Sequence, residues 1–300
     1  MMKRHILYLM AIIMMGYACS SGDQKSIDEE LGEDFKKEAE VKPKVSKESI
    51  EDLIYSIPSP LEMTEMIRSS GAEFSDKMLN NTENSKNYVN NHKKALNLGV
   101  YGADLGYMNI YEKTVSSISY IGAVKGLADD LKVGQFFDFN ILKRLASSSQ
   151  NIDSLLYITT TGFNQMDDYL RQNNRGNISA LILTGTWLEG VYIASQVAKQ
   201  SGNQDIVERI GEQKVTLDNL ILILSAYEQD KNMTKLIAKL NNLKAQFDQV
   251  TITYTYAEPE PVEIDGVLVL EDNSTSTIEM TDETFNNITN LLNEIRSQII

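Results

Sequence analysis

The chain has 300 residues, 42% of them hydrophobic, and a formal charge of -14, enough apolar content for one sizeable core. Such an acid excess argues against nucleic acid and against attraction to anionic lipid headgroups, both of which need a basic face. Its plain use is solubility, and its other use is an acidic partner-binding face. One cysteine and two histidines rule out multi-histidine zinc sites, Cys-His pairs and CxxC redox pairs by count.

In chain order, Lys3 and Arg4 precede the apolar run 6–15, then Gly16-Tyr17-Ala18-Cys19 and an abruptly polar stretch. The run is too short for a bilayer, which needs about 20 apolar residues, and its parts are those of a secretory signal. Ala18-Cys19 resembles the lipobox of bacterial lipoproteins, where a small residue precedes a cysteine that is lipidated and becomes N-terminal. Gly16 departs from that pattern, which places Leu or another aliphatic residue three before the cysteine. The departure is similar to those of Bacteroidota-type lipoproteins, in which acids soon after the cysteine, here Asp23 and Asp28-Glu29-Glu30, favour export to the outer face. The resemblance implies an acylated (palmitate-bearing) Cys19 and attachment to the outer membrane, on its periplasmic or surface face. It implies nothing about the fold. An unpaired cysteine in an exported protein calls for an explanation. Lipidation supplies one, because two or more acyl chains anchor firmly where one does not.

With the leader gone, His92 is the last histidine, and its neighbours Asn90-Asn91 and Lys93-Lys94 place it on a polar, solvated helix face. Residues 19–46 are rich in charge and poor in apolar side chains. They read as a flexible acidic tether that cannot offset its own ordering entropy and that gives the folded part reach.

Ser46-Lys47-Glu48 reads as a helix start, with Ile50, Leu53, Ile54 and Ile57 at helical spacing; Pro58 and Pro60 end that helix and begin another. Helical spacing then dominates without a proline up to Phe247. It predicts helices over 75–80, 84–98, 101–120, 121–131, 139–147, 152–172, 178–200, 205–227 and 234–247, some of them fused. The run 217–224 is apolar nearly all round, which predicts a central helix. Ile252, Tyr254 and Tyr256 alternate with threonines, and Asp265-Gly266 sits between β-prone runs, predicting a hairpin or three-stranded meander with 276–280 as the last strand. Thr281 or Asp282 caps a final helix, whose stripe of Phe285, Ile288, Leu291, Leu292, Ile295 and Ile299 must dock on the bundle. The expected fold is all-α, a multi-helix bundle (47–249) carrying a small C-terminal β-hairpin or meander and a docked terminal helix (250–300), behind the leader (1–18) and tether (19–46).

Two stretches draw attention inside the bundle: Gly102-Ala103-Asp104-Leu105-Gly106-Tyr107 and Gly185-Thr186-Trp187-Leu188-Glu189-Gly190-Val191-Tyr192. Each sets glycines and a carboxylate into an apolar helical run. A mid-helix glycine costs roughly 1 kcal/mol against alanine, so the glycines mark either close helix packing or the floor of a pocket. A buried carboxylate must be paired, hydrogen-bonded or neutral. Asp104 and Glu189 are open to sharing a proton, binding a hard cation with Glu112, pairing with Lys113 or Lys214, or hydrogen bonding to Tyr107, Tyr111 or Tyr192. The candidate ligand pocket comprises Asp104, Tyr107, Glu112, Trp187, Glu189 and Tyr192. No phosphate loop, nucleophile elbow or HExxH motif is present, and no cofactor is expected. The expected function is a non-enzymatic, envelope-anchored protein that binds an envelope protein or small ligand. A pocket-bearing ligand binder, or an enzyme using the two carboxylates as acid and base, is the alternative.

Overall fold

The computed structural model describes residues 43–55, 67–68, 70–146, 152–264, 267–271 and 275–300. Cys19, the leader and all but the last residues of the tether lie outside this set. Its helices are α1 (Lys47–Tyr55), α2 (Asn91–Ile110), α3 (Thr114–Asp130), α4 (Phe139–Ala146), α5 (Ile152–Gln172), α6 (Gly176–Ser201), α7 (Gln204–Ser225), α8 (Lys231–Phe247) and α9 (Asp282–Ile299). Short 3-10 turns at Asp76–Met78 and Thr82–Asn87 lead into α2. The expected all-α bundle with a hairpin and a docked last helix is the observed architecture.

The starts of α2, α7, α8 and α9 follow side-chain capping, which satisfies otherwise orphaned backbone donors. Asn90 accepts from the Lys93 amide at 2.8 Å, Asn203 from Ile206 at 3.2 Å, Asp230 from Asn232 at 2.7 Å and Thr281 from Thr284 at 3.1 Å. Ends are less legible. α2 stops at Ile110 rather than running to Tyr120, because Glu112 takes a left-handed conformation (φ 53°). The Lys113 amide then donates to Met108 O and the Glu112 amide to Asn109 O, both at 3.0 Å. That is a Schellman closure. The same pair of bonds closes α3 at Lys132 (φ 58°) and α5 at Asn174 (φ 57°). A glycine marks such ends in sequence; Glu112 and Lys132 do not.

α6 is the helix at the centre, packed by α2, α5, α7 and α9. It is the one helix among the described residues long and apolar enough to cross a bilayer, yet 78% of that stretch is buried in the bundle. The run 217–224 belongs instead to a half-exposed helix: Leu222 is 56% exposed, while Leu217, Leu220 and Leu224 face the core. Five apolar residues in a row (220–224) fit α7 although only one side of them is needed for packing.

α6 and α2 cross at glycines. A Cβ on Gly185 would stand 1.9 Å from Leu96 O, and one on Gly99 2.1 Å from Ile182 O. Thr186 Oγ1 donates to Ile182 O at 3.0 Å and to Gly99 O at 3.3 Å, tying the contact. Close packing therefore explains Gly185, and it explains why Gly99 lies inside α2 where a break between 98 and 101 was expected. Gly190 has nothing within 4 Å of its Cβ direction.

The strands β1 (Thr251–Thr255), β2 (Glu260–Ile264), β3 (Val267–Glu271) and β4 (Thr275–Glu279) pair β1 with β4 and β2 with β3, all antiparallel. The result is a nested hairpin rather than a meander. Its base docks on α7: Ile278, opposite Ile252, lies so close to Gly211 that a Cβ there would meet it at 2.5 Å. α9 then packs along α6 and α8, burying Ile288, Leu292, Ile295 and Ile299.

Candidate functional site

Three helices and one loop converge on a buried polar cluster. α2 contributes Asn97, Tyr101 and Asp104 from successive turns of one face, α6 contributes Glu189 and Tyr192, and α9 contributes Arg296. Asp104 and Glu189 are both 0% exposed. Arg296 clamps Glu189 with two bonds of 2.6 Å, Nε to Oε2 and Nη2 to Oε1, and Nη2 also donates to Met78 O at 2.9 Å. Its guanidinium lies 4.2 Å from the centre of the Tyr192 ring. Bidentate geometry with a cation–π floor is the strongest arrangement available to a buried arginine.

Asp104 adjoins Glu189. One of its oxygens accepts from the Asn80 amide at 3.1 Å, and the other is buried with no donor facing it. The carboxyl group is therefore complete only when protonated, donating to Glu189. Burial pushes the Asp104 pKa well above its ordinary value, the Glu189 charge and the hydrogen bond to it push the same way, and Arg296 and the Asn80 amide oppose. Burial raises Glu189 too, but the Arg296 bonds and charge and the Asp104 hydrogen bond oppose that rise. The cluster is thus a neutral acid, a carboxylate and a guanidinium, with no net charge to desolvate.

Amides extend it outward. Asn80 Nδ2 donates to Tyr88 OH at 2.9 Å and to Asn97 Oδ1 at 3.3 Å, Asn97 Nδ2 donates to Ile299 O at 3.0 Å, and Tyr101 OH donates to Asn81 O at 2.8 Å. The network stitches the loop before α2 to the end of α9, 218 positions further on in the Arg296–Met78 bond.

Of the residues singled out in the sequence, Asp104, Glu189 and Tyr192 meet here. Tyr107 shares the α2 face, but its hydroxyl accepts from the Ser75 amide at 3.1 Å, and its ring stacks on Phe74 at 5.3 Å. Trp187 points to α7, donating to Gln213 Oε1 at 3.0 Å. Glu112 stands exposed at the α2 terminus, away from the two carboxylates. Neither lysine is the partner: Lys113 sits 5.0 Å over the Phe74 ring and Lys214 donates to Val250 O at 2.7 Å. Surface clefts lie elsewhere, one by Tyr227 and Gly176, another by Gly122 and Gly126. His92 is half buried, with a shielded Nδ1 that meets no partner, and burial lowers its pKa; it is not the solvated side chain expected.

Arg296 is the residue the sequence reading missed. The signal was there: it is the only Lys or Arg after Lys244, and it stands one turn from Leu292 and Ile299 on the apolar stripe of α9. A lone cation inside an apolar stripe needs a buried anion.

The proton on Asp104 gives a pH signature. A carboxyl whose folded pKa is raised stabilises fully below its unfolded value, near 3.8, and that stability is lost as pH rises toward the folded value. Asp167 is raised in the same sense and His92 lowered in the opposite one, so the comparison must be between variants. Asp104→Asn can still accept from Asn80 and donate to Glu189 without a titrating proton. Urea unfolding from pH 4 to 8 is expected to show that the variant gains on the parent as pH rises, by up to about 1.4 kcal/mol per pH unit, and equals or exceeds it at pH 7.

Comparison with protein-family models, with curated proteins and with solved structures finds no match.

Proposed function

We propose that the chain is a lipid-anchored envelope protein whose helical body binds or scaffolds another envelope component instead of performing catalysis. The observation that favours binding over acid–base chemistry is the state of the two carboxylates. An acid or base must reach its substrate within hydrogen-bond distance, whereas Asp104 and Glu189 are wholly enclosed and the Glu189 oxygens are taken up by Arg296. Their work is to hold α2, α6 and α9 in one rigid body, which is what a presenting surface requires. The anchor rests on the lipobox-like Ala18-Cys19 and on the absence of a second cysteine for Cys19 to pair with. Attachment to the outer membrane is what the resemblance of Cys19 and the acidic residues after it to Bacteroidota-type lipoproteins implies.

Mass analysis of the mature N-terminus is expected to give Cys19 carrying a diacylglyceryl group, and the protein is expected in the membrane fraction. Cys19→Ser is expected to release it to the soluble fraction with its helical content intact. An unmodified Cys19, or a parent chain that washes free, would end the reading.

A further inference from the structure

The interaction reading leaves open which surface meets the partner, and the nested hairpin answers it. One face of the β1–β4 pair starts at Ile252 and Ile278, which seat the base of the hairpin on α7. The strand pleat carries that same face outward to Tyr254, opposite Ser276, and Tyr256 follows just beyond the end of β1. There the bundle no longer covers it: Tyr254 is 62% and Tyr256 69% exposed. Ser276, itself exposed, is too small to shield the ring beside it. By contrast, Tyr88, Tyr101, Tyr107, Tyr192 and Tyr227 are buried. Two exposed tyrosines at the outer end of a strand, with polar tips and few rotatable bonds, make good contact surface at low entropic cost.

Charge identifies what would cover them. From Thr251 to Thr281 the chain carries seven acidic residues and no Lys, Arg or His. A second copy of this face brings the same negative charge and is repelled, as is an anionic lipid surface. A basic partner is drawn in by the net negative charge of the segment, and its lysines or arginines meet tyrosine ring faces, which attract a cation. Pro259 and Pro261 break the run of backbone donors along the far half of the hairpin, so strand addition at its edge is blunted and recognition falls to side chains.

We propose, resting on the interaction reading above, that the Tyr254–Tyr256 face of the hairpin docks a basic polypeptide segment in which cationic and apolar side chains alternate. Such a segment sets its apolar side chains on the tyrosine rings and its cations among the acids. The test uses the full chain and a fluorescent ten-residue peptide of alternating lysine and valine, read by anisotropy at physiological salt. A glutamate–valine peptide is the control. The lysine peptide is expected to bind and the glutamate peptide not to. Tyr254→Ser with Tyr256→Ser is expected to weaken binding at least tenfold, with the circular dichroism of the bundle unchanged. Tyr254→Phe with Tyr256→Phe, which keeps the rings, is expected to hold binding within about twofold. Equal binding by the serine variant would overturn the proposal, since attraction by net charge alone would then suffice. So would a tyrosine-dependent dimer in sedimentation, which would make a second copy the occupant. Either failure leaves the Cys19 experiment untouched, so the anchor reading and the docking face fall separately.

Discussion

Arg296→Met is expected to cost the fold about 3–5 kcal/mol, the usual penalty for removing one member of a buried ion pair. Glu189 would remain 0% exposed with its counter-charge gone, and Met78 O would lose its donor. Methionine fills most of the arginine volume and keeps contact with Tyr192, so the loss reads on charge and not on a cavity. The consequence is larger than one contact because the pair joins α9 to α6 and to the loop before α2. Amides of α9 are expected to exchange as a unit in the variant, ahead of those in α6. The second half of the cycle is the sharper one. In Arg296→Met with Glu189→Gln, the glutamine still accepts from Asp104 and no charge is stranded, so at least half of the lost stability is expected to return. Urea unfolding at pH 7 measures both. A single variant within about 1 kcal/mol of the parent would mean that water reaches Glu189, and the enclosed cluster would have to be given up.

That pair also shows how far the sequence could be read. The bundle was legible because apolar residues at helical spacing need a common core, and the hairpin because strict alternation has few other uses; Asp265-Gly266, read as its turn, lie outside the described residues. Helix starts at Asn203 and Thr281 follow from capping chemistry that is local to a few residues. Ends at Glu112 and Lys132 do not, since a left-handed residue without glycine is imposed by the packing of the next helix. Asp104 and Glu189 were identifiable as a pair in need of satisfaction, because carboxylates in apolar helical runs demand one. Their partner was not, since Arg296 lies 107 positions from Glu189 and only the docking of α9 brings it near. Its conspicuous place on an apolar stripe was the available clue. The tyrosines divided likewise: spacing put Ile252, Tyr254 and Tyr256 on one face, but only the finished body shows that the first is covered and the other two are not.

Gly185→Ala is expected to cost about 3 kcal/mol or more, and Gly190→Ala, five residues along the same helix, about nothing. Both substitutions gain helix propensity, up to roughly 1 kcal/mol at an exposed interior position. They differ in what the new methyl group meets. At Gly190 it meets open space, so the propensity gain is kept. At Gly185 it lands 1.9 Å from Leu96 O, a backbone atom of α2, where no rotamer change can yield. The helices must separate by an ångström or more, and the interior does not absorb such a step without losing contacts on both sides. The displacement propagates to the cluster one turn away: Glu189 and Asp104 ride on the two helices forced apart, and their shared proton depends on the spacing. Gly185→Ala is therefore expected to flatten the pH dependence that Asp104 confers, in addition to lowering the midpoint of unfolding. Gly190→Ala leaves the pH dependence unchanged and holds or slightly raises the midpoint. Thermal and urea unfolding of the two variants across pH separates a packing seam from a glycine tolerated by chance, since only a seam couples the methyl group to the titration of a carboxyl it never touches.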